Sequence, residues 1–163
     1  MDRKSSFSPV VAPDTRVLVL GSLPGERSLA AGRYYAHPQN RFWHLIGRVI
    51  GVALEPLDYE ERLIALLKAK VGLWDTVASA QRTGSLDAAI RAAEHNPLAG
   101  LARSLPELRA VGFNGGASAR IGMPQLAGSG LALIALPSSS PAYAAMPLIE
   151  KQKLWNGLRE FLR

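Results

Sequence analysis

The sequence contains no cysteine. That absence excludes disulfides, a thiolate nucleophile, cysteine-ligated zinc and cysteine-ligated iron–sulfur clusters. Long apolar stretches are missing too. The longest, Leu131 to Leu136, has six residues, against the roughly 20 needed to cross a bilayer as a helix. The opening Met1-Asp2-Arg3-Lys4-Ser5-Ser6 lacks the apolar core of a secretory signal. The expectation is a cytoplasmic protein with no membrane partner.

Acidic residues are scarce in two places. None stands between Glu26 and Glu55, where Arg27, Arg33, Arg41 and Arg48 lie, and none between Glu107 and Glu150, where Arg109 and Arg120 lie. A polyanionic ligand at that face explains both gaps, because a carboxylate there would repel it. Apolar strands that exclude charge explain them equally simply.

What is present fits one globular unit spanning 1–163, with Met1 to Pro13 read as a loose lead-in. Of the 163 residues 48% are hydrophobic and 20% charged, a composition that builds a core. The 19 basic residues exceed the 13 acidic ones, for a net charge of +6. Five of the 19 are lysines, which leaves 14 arginines, the side chain whose planar fork matches phosphate.

Three short apolar runs end in turn residues. Arg16 to Leu20 stops at Gly21-Ser22-Leu23-Pro24-Gly25, Leu108 to Phe113 at Asn114-Gly115-Gly116, and Leu131 to Leu136 at Pro137-Ser138-Ser139-Ser140-Pro141. A weaker run, Val71 to Trp74, ends at Asp75. Such runs read as strands buried on both faces. Helix signals separate them: Asn40 as a cap for a helix to about Ile50, Asp58 with Glu61 as a capping box, Asn96-Pro97 as a cap with proline at the first helical position, and Pro147 opening a last helix. The expected fold is α/β, a three-layer α/β/α sandwich around a short, mainly parallel four-stranded central sheet. Ligands of such sheets bind beyond the carboxyl ends of the strands. The site is therefore expected where the loops after these four runs converge.

The segment Tyr34-Tyr35-Ala36-His37-Pro38-Gln39-Asn40-Arg41-Phe42-Trp43 concentrates aromatic and amide groups in ten residues. Gly21 to Gly25 alone is a weak signal, with neither the Lys-Ser/Thr of a P-loop nor dinucleotide spacing. Together, Gly21, Pro24 and Gly25, the string from Tyr35 to Trp43, and the late Pro137-Ser138 resemble the uracil-DNA glycosylase superfamily, in its mismatch-specific and hypoxanthine-DNA (deoxyinosine) glycosylase branch. Gly72-Leu73-Trp74-Asp75 and Gly84-Ser85-Leu86-Asp87 resemble the hypoxanthine members further. The likeness spans about residue 16 to the C-terminus. It implies a monofunctional enzyme that hydrolyses the N-glycosidic bond of a flipped deaminated base, hypoxanthine before uracil, in double-stranded DNA. It also implies action as a monomer with no cofactor and no metal. Within the superfamily, zero cysteine excludes the iron–sulfur branches.

One departure decides the catalytic candidate. The mismatch-specific group has Asn, and other members Asp, where this chain has Leu23, which can neither orient water nor accept a proton. The resemblance moves the catalytic role to Asn40. Such a reaction needs a water held below C1′ and hydrogen bonds to the departing base, which an amide supplies by positioning. Ser22, Leu23, Pro24, Gly25, Tyr35, His37, Asp75 and Asn114 are the candidate substrate-binding residues, Tyr35 as the stacking floor for an extruded base. Ser138, Ser139, Ser140, Tyr143 and Arg41 are the candidate DNA contacts. None of Lys4, Lys68, Lys70, Lys151 and Lys153 lies in a strand-end loop, so no lysine-dependent strand cleavage is expected.

Plainer readings stand beside these. Asn40 suits a helix cap, His37 a loop brace, and one of Tyr34 and Tyr35 a core aromatic. Asp75 suits a turn cap as well as a water or base contact, and Asn114 a turn residue as well as a base reader. Two other functions fit the same residues: a flavodoxin-like nucleotide- or phosphate-binding module, and a DNA-binding relative without catalysis.

Overall fold

The computed structural model describes residues 3–163. The strands are β1 (Arg3–Ser5), β2 (Val17–Gly21), β3 (Val71–Asp75), β4 (Val77–Gln81), β5 (Arg91–His95), β6 (Ala110–Asn114) and β7 (Ala132–Leu136). The helices are α1 (Glu26–Ala31), α2 (Phe42–Ile50), α3 (Tyr59–Lys68), α4 (Leu98–Arg103), α5 (Gly116–Leu126) and α6 (Leu148–Trp155). Four strands form the expected parallel sheet, in the order β3-β2-β6-β7.

Strand β2 shows why the sheet is covered on both sides. Successive side chains point to opposite faces. Val17 and Val19 join a cluster with Phe42, Trp43, Leu45 and Ile46 of α2, Leu66 of α3 and Trp155 of α6. Leu18 and Leu20 join Leu98 of α4, Leu126 of α5, Val111 and Phe113. Each such fully buried aliphatic side chain contributes about 1.5–3 kcal/mol relative to exposure. The helix α5 lies close on the sheet because residue 122 is glycine: a Cβ there would sit 2.4 Å from Phe113. The α/β/α sandwich is thus as the apolar runs implied.

A second sheet was not expected. Strands β1, β4 and β5 pair antiparallel in the order β1-β4-β5. It corrects the reading of Met1 to Pro13 as a loose lead-in. Arg3–Ser5 pairs with β4, Phe7 and Val10 pack on the core, and Val10 exchanges two backbone hydrogen bonds with Leu73 on the open edge of β3. Met1 and Asp2 lie outside the described residues. The start of α4 also differs in detail. Pro97 is the cap of α4 rather than its first residue. Asn96, instead of capping, donates to the Asp75 carbonyl at 2.7 Å and to Ser6 Oγ at 3.2 Å.

The order of the parallel strands sets the site. From β2 the chain crosses to β3 on one side and later to β6 on the other, so the connections part between β2 and β6. Crevices at such a switch point are where ligands bind.

Candidate active site

A cavity of about 490 Å³ lies at that point, inside the usual size range of small-molecule sites. It is lined by the Gly21–Gly25 loop, Tyr34, Tyr35, His37, Asn40, Asp75, Asn114 and the loop from Ser138 to Tyr143. The four strand ends therefore do converge.

The first loop is held from behind. Arg82, 1% exposed, donates to the carbonyls of Leu23, Pro24 and Gly84. Leu23 is 6% exposed and packs with Val77, Ala80, Ile90, Ala93 and Ile121. Its residue lines the cavity, yet its side chain is chiefly the anchor between this loop and the β4–β5 hairpin. Ser22 Oγ donates to Asp87 Oδ1 at 2.5 Å, and Ser85 Oγ accepts from the Glu26 N–H at 2.9 Å. The hairpin thus forms one wall of the cavity, adding Ser85, Leu86 and Asp87 to the lining.

The segment before α2 forms another wall. Tyr34 is 3% exposed and packs edge-on against Phe7, while Tyr35 lines the cavity beside it. Tyr35 has a φ of 53°, a left-handed conformation that costs a non-glycine residue on the order of 1–3 kcal/mol. The surroundings hold it there. Trp43 Nε1 donates to its carbonyl at 3.1 Å, Phe42 stacks on its ring at 3.9 Å and 12°, and Asn114 Nδ2 donates to its hydroxyl at 3.3 Å. Asn40 Oδ1 accepts from the Phe42 N–H at 2.9 Å, so Asn40 does brace the start of α2 while lining the cavity. His37 Nδ1 accepts from the Gln39 N–H at 3.1 Å, the bracing role.

The late loop is locked to β6. Asn114 Nδ2 donates to Ser139 Oγ, and the Ser139 N–H donates to Asn114 Oδ1, both at 2.9 Å. This corrects two expectations. The Asn114 amide is engaged with Ser139 and Tyr35 rather than left to read a base. Ser139 is 1% exposed and holds the loop rather than meeting a phosphate. Ser138 and Ser140 accept from the N–H groups of Ser140 and Ala142, turning the loop so that Tyr143 stays exposed. Arg41 is also placed differently. Its N–H donates to the Ser139 carbonyl at 3.0 Å, and the residue lines a neighbouring cavity of about 890 Å³ with Arg33 and Arg62, not the strand-end cavity.

The electrostatics centre on Asp75. It is 3% exposed and its Oδ2 has no hydrogen-bond partner. Burial first, and the neighbouring Asp87 carboxylate second, push its carboxyl up to about 7, against a smaller opposing effect of Arg82. Tyr34 and Tyr35 hydroxyls are raised well above the phenol range, chiefly by burial and next by Asp75. Arg82 is itself lowered by burial.

Two further carboxylates, Asp87 and Glu26, line the cavity with Asp75. The string Gly84 to Asp87 drew notice only as a family resemblance, and its place in the hairpin wall was missed; a lone Arg82 between strand and turn offered no signal. The arginine map is also narrower than the acid gaps suggested. Arg27 lines the cavity, whereas Arg109 donates to the Phe161 and Arg163 carbonyls at the far end of β6. None of the five lysines lines the cavity. Among the described residues no helix is long and apolar enough to cross a membrane, and no three His, Asp or Glu side chains cluster as metal ligands would.

A switch-point cavity of this size, lined by a fixed tyrosine and small-residue loops, has room for one extruded base, which a DNA glycosylase must hold. Residues 8–159 match the Uracil DNA glycosylase superfamily, and the chain belongs to that superfamily. It is 40% identical over 139 residues to a hypoxanthine DNA glycosylase of Methanosarcina acetivorans, covering 85% of this chain and 87% of that protein. A hypoxanthine DNA glycosylase of Methanosarcina barkeri is 42% identical over 113 residues, 69% of this chain and 72% of the relative. A solution NMR structure from Methanosarcina acetivorans that carries a uracil DNA glycosylase name superposes with a TM-score of 0.89 at 35% identity, covering 99% of each chain. The protein is a hydrolase of N-glycosyl bonds in DNA.

Proposed function

We propose that the chain is a monofunctional glycosylase that removes hypoxanthine from double-stranded DNA and acts as a monomer. The reading is carried by the strand-end cavity, where Tyr35 and Asn40 share one pocket with Asp75. Two relatives at 40% and 42% identity are named for hypoxanthine, and Leu23 argues against the first-loop chemistry of other branches.

In this reading the flipped base stacks on Tyr35, whose other face is filled by Phe42. Asn40 holds the attacking water. Its Oδ1 keeps a second lone pair after accepting from Phe42, and a carbonyl oxygen accepts two hydrogen bonds. The amide is no strong base, so the rate comes from placing the water against a sugar already gaining positive charge. Ser138, Ser140 and Tyr143 meet the DNA backbone. A base-free sugar is the product, because no lysine lines the cavity to capture C1′.

Duplexes containing a single inosine, uracil or xanthine, scored for alkali-labile sites, test this. Inosine is expected to be the fastest substrate, and Asn40→Ala to lower its single-turnover rate about 100-fold or more. Absence of base release from all three duplexes contradicts the reading; an unchanged rate in Asn40→Ala removes the role of Asn40 alone.

A further inference from the structure

We infer that Asp75 is the general acid of the reaction, delivering its proton to a ring nitrogen of the departing purine; the inference rests on the hypoxanthine reading above. The carboxyl stands at the carboxyl end of β3, lines the cavity and is 97% covered, with Oδ2 unpartnered. Buried polar atoms in native proteins are almost always hydrogen-bonded, and buried carboxylates are paired with cations. Asp75 Oδ2 has no hydrogen-bond partner, and no salt bridge of the described residues includes Asp75. An unpaired buried carboxyl is stable as the neutral acid.

The fold makes room for it deliberately close to the ligand space. Asp75 is the register partner of Gly21, and a Cβ on residue 21 would lie 2.6 Å from Asp75 Oδ1 and 3.0 Å from the Tyr35 hydroxyl. Any side chain at 21 would therefore displace the carboxyl. Its backbone is fixed by Asn96, which donates to the Asp75 carbonyl.

Burial first, and then the Asp87 carboxylate, push the Asp75 carboxyl up, and Arg82 opposes them. From the hairpin wall comes the Asp87 carboxylate, from the segment before α2 the Tyr35 and Tyr34 hydroxyls, and from the end of β4 Arg82. Arg82 is committed to the carbonyls of Leu23, Pro24 and Gly84, so it opposes Asp87 only in part. The outcome, a carboxyl pushed up to about 7, matches what an acid working near neutral pH needs.

The chemistry distinguishes purines from uracil. A purine attached through N9 retains lone pairs on N7 and N3 that are not part of the glycosidic bond. As the C1′–N9 bond breaks, its electron pair moves into the ring, and the Asp75 proton adds to one of those nitrogens, so the base leaves neutral. Water forms the new bond to C1′ and loses a proton, which restores Asp75 to the acid form through solvent. The sum is hydrolysis, with no other reactant. Uracil attached through N1 has no such ring lone pair, since its N3 carries hydrogen, and offers this acid only carbonyl oxygens.

Single-turnover rates between pH 5 and 9 test the inference, with duplexes containing inosine, 7-deazainosine or 3-deazainosine and with Asp75→Asn beside the unmodified protein. The unmodified protein is expected to lose about tenfold per pH unit above pH 7 on inosine, and Asp75→Asn to be slower by about 100-fold or more with that limb flattened. One deaza analogue is expected to be slow with the unmodified protein and to show no further loss in Asp75→Asn, which identifies the nitrogen. Equal DNA affinity and a cooperative melt confirm that the variant is folded. Asp75→Asn within threefold of the unmodified protein on inosine, or both deaza analogues cleaved as fast as inosine, overturns the inference. Failure of the unmodified protein to release hypoxanthine at all is a different result, and sinks the hypoxanthine reading on which the inference stands.

Discussion

Asn114 and Asp75 end two strands of the same sheet, flank β2 from opposite sides, and are both at least nine-tenths buried in one cavity. Their surroundings differ completely. Every polar group of the Asn114 side chain is used, on Ser139 and Tyr35. Asp75 Oδ2 is bonded to nothing and faces a second carboxylate. The same place in the fold therefore serves two ends: a satisfied amide makes scaffold, and an unsatisfied carboxyl is left with an atom to offer a ligand. Burial alone separates neither from the other; the partner count does.

Substitutions sharpen that contrast. The largest effect on stability is expected at Asp75, and it depends on pH. Its carboxyl titrates near 7 when folded against 3.8 ordinarily, so folding favours the protonated form. The penalty for ionisation is absent below about pH 4, grows as pH rises, and is complete above about pH 7. Asp75→Asn should therefore gain stability relative to the unmodified protein between pH 4 and pH 8, by up to about 4 kcal/mol, because one pKa unit is about 1.36 kcal/mol. Urea denaturation at the two pH values reads this directly. A constant difference would mean that Asp75 is an ordinary carboxylate.

Asn114→Ala should do the opposite. It leaves Ser139 and Tyr35 without partners in a buried setting, at a cost of about 2–3 kcal/mol, independent of pH. The same variant should bind inosine-containing duplex more weakly, because the tyrosine and the late loop lose their shared anchor. Equal loss at both pH values, measured by denaturation, separates it from Asp75.

Smaller still is Ser22→Ala. It removes one hydroxyl from Asp87 and should cost about 1 kcal/mol, with the hairpin wall retained through Arg82 and Leu23. Thermal melts of this variant at pH 7 test whether the wall depends on that single bond.

The parallel sheet was legible in the sequence for a physical reason. Strands β2, β3 and β6 are buried along their whole length, so apolar residues run nearly unbroken up to their carboxyl ends. The antiparallel sheet was not legible. Val77-Ala78-Ser79-Ala80-Gln81 and Arg91-Ala92-Ala93-Glu94-His95 carry small and charged residues that disfavour strands, and the hairpin they form is held on the first loop by Arg82 and Leu23. The same distinction holds in the site. Tyr35 and Asn40 lie in one dense string that advertises itself. Asp87 reaches Ser22 across 65 residues, and whether Asn114 would be bonded or Asp75 bare depends on where Ser139 and Arg82 come to rest, which no local pattern encodes.

The most direct test of the account is chemical. The unmodified protein is incubated with a duplex holding one inosine, free base is identified by mass spectrometry, and strand integrity is read before alkali. The account requires free hypoxanthine in step with an abasic site, on a strand that stays intact until alkali is added. An untouched inosine, or a strand cut without alkali, contradicts it.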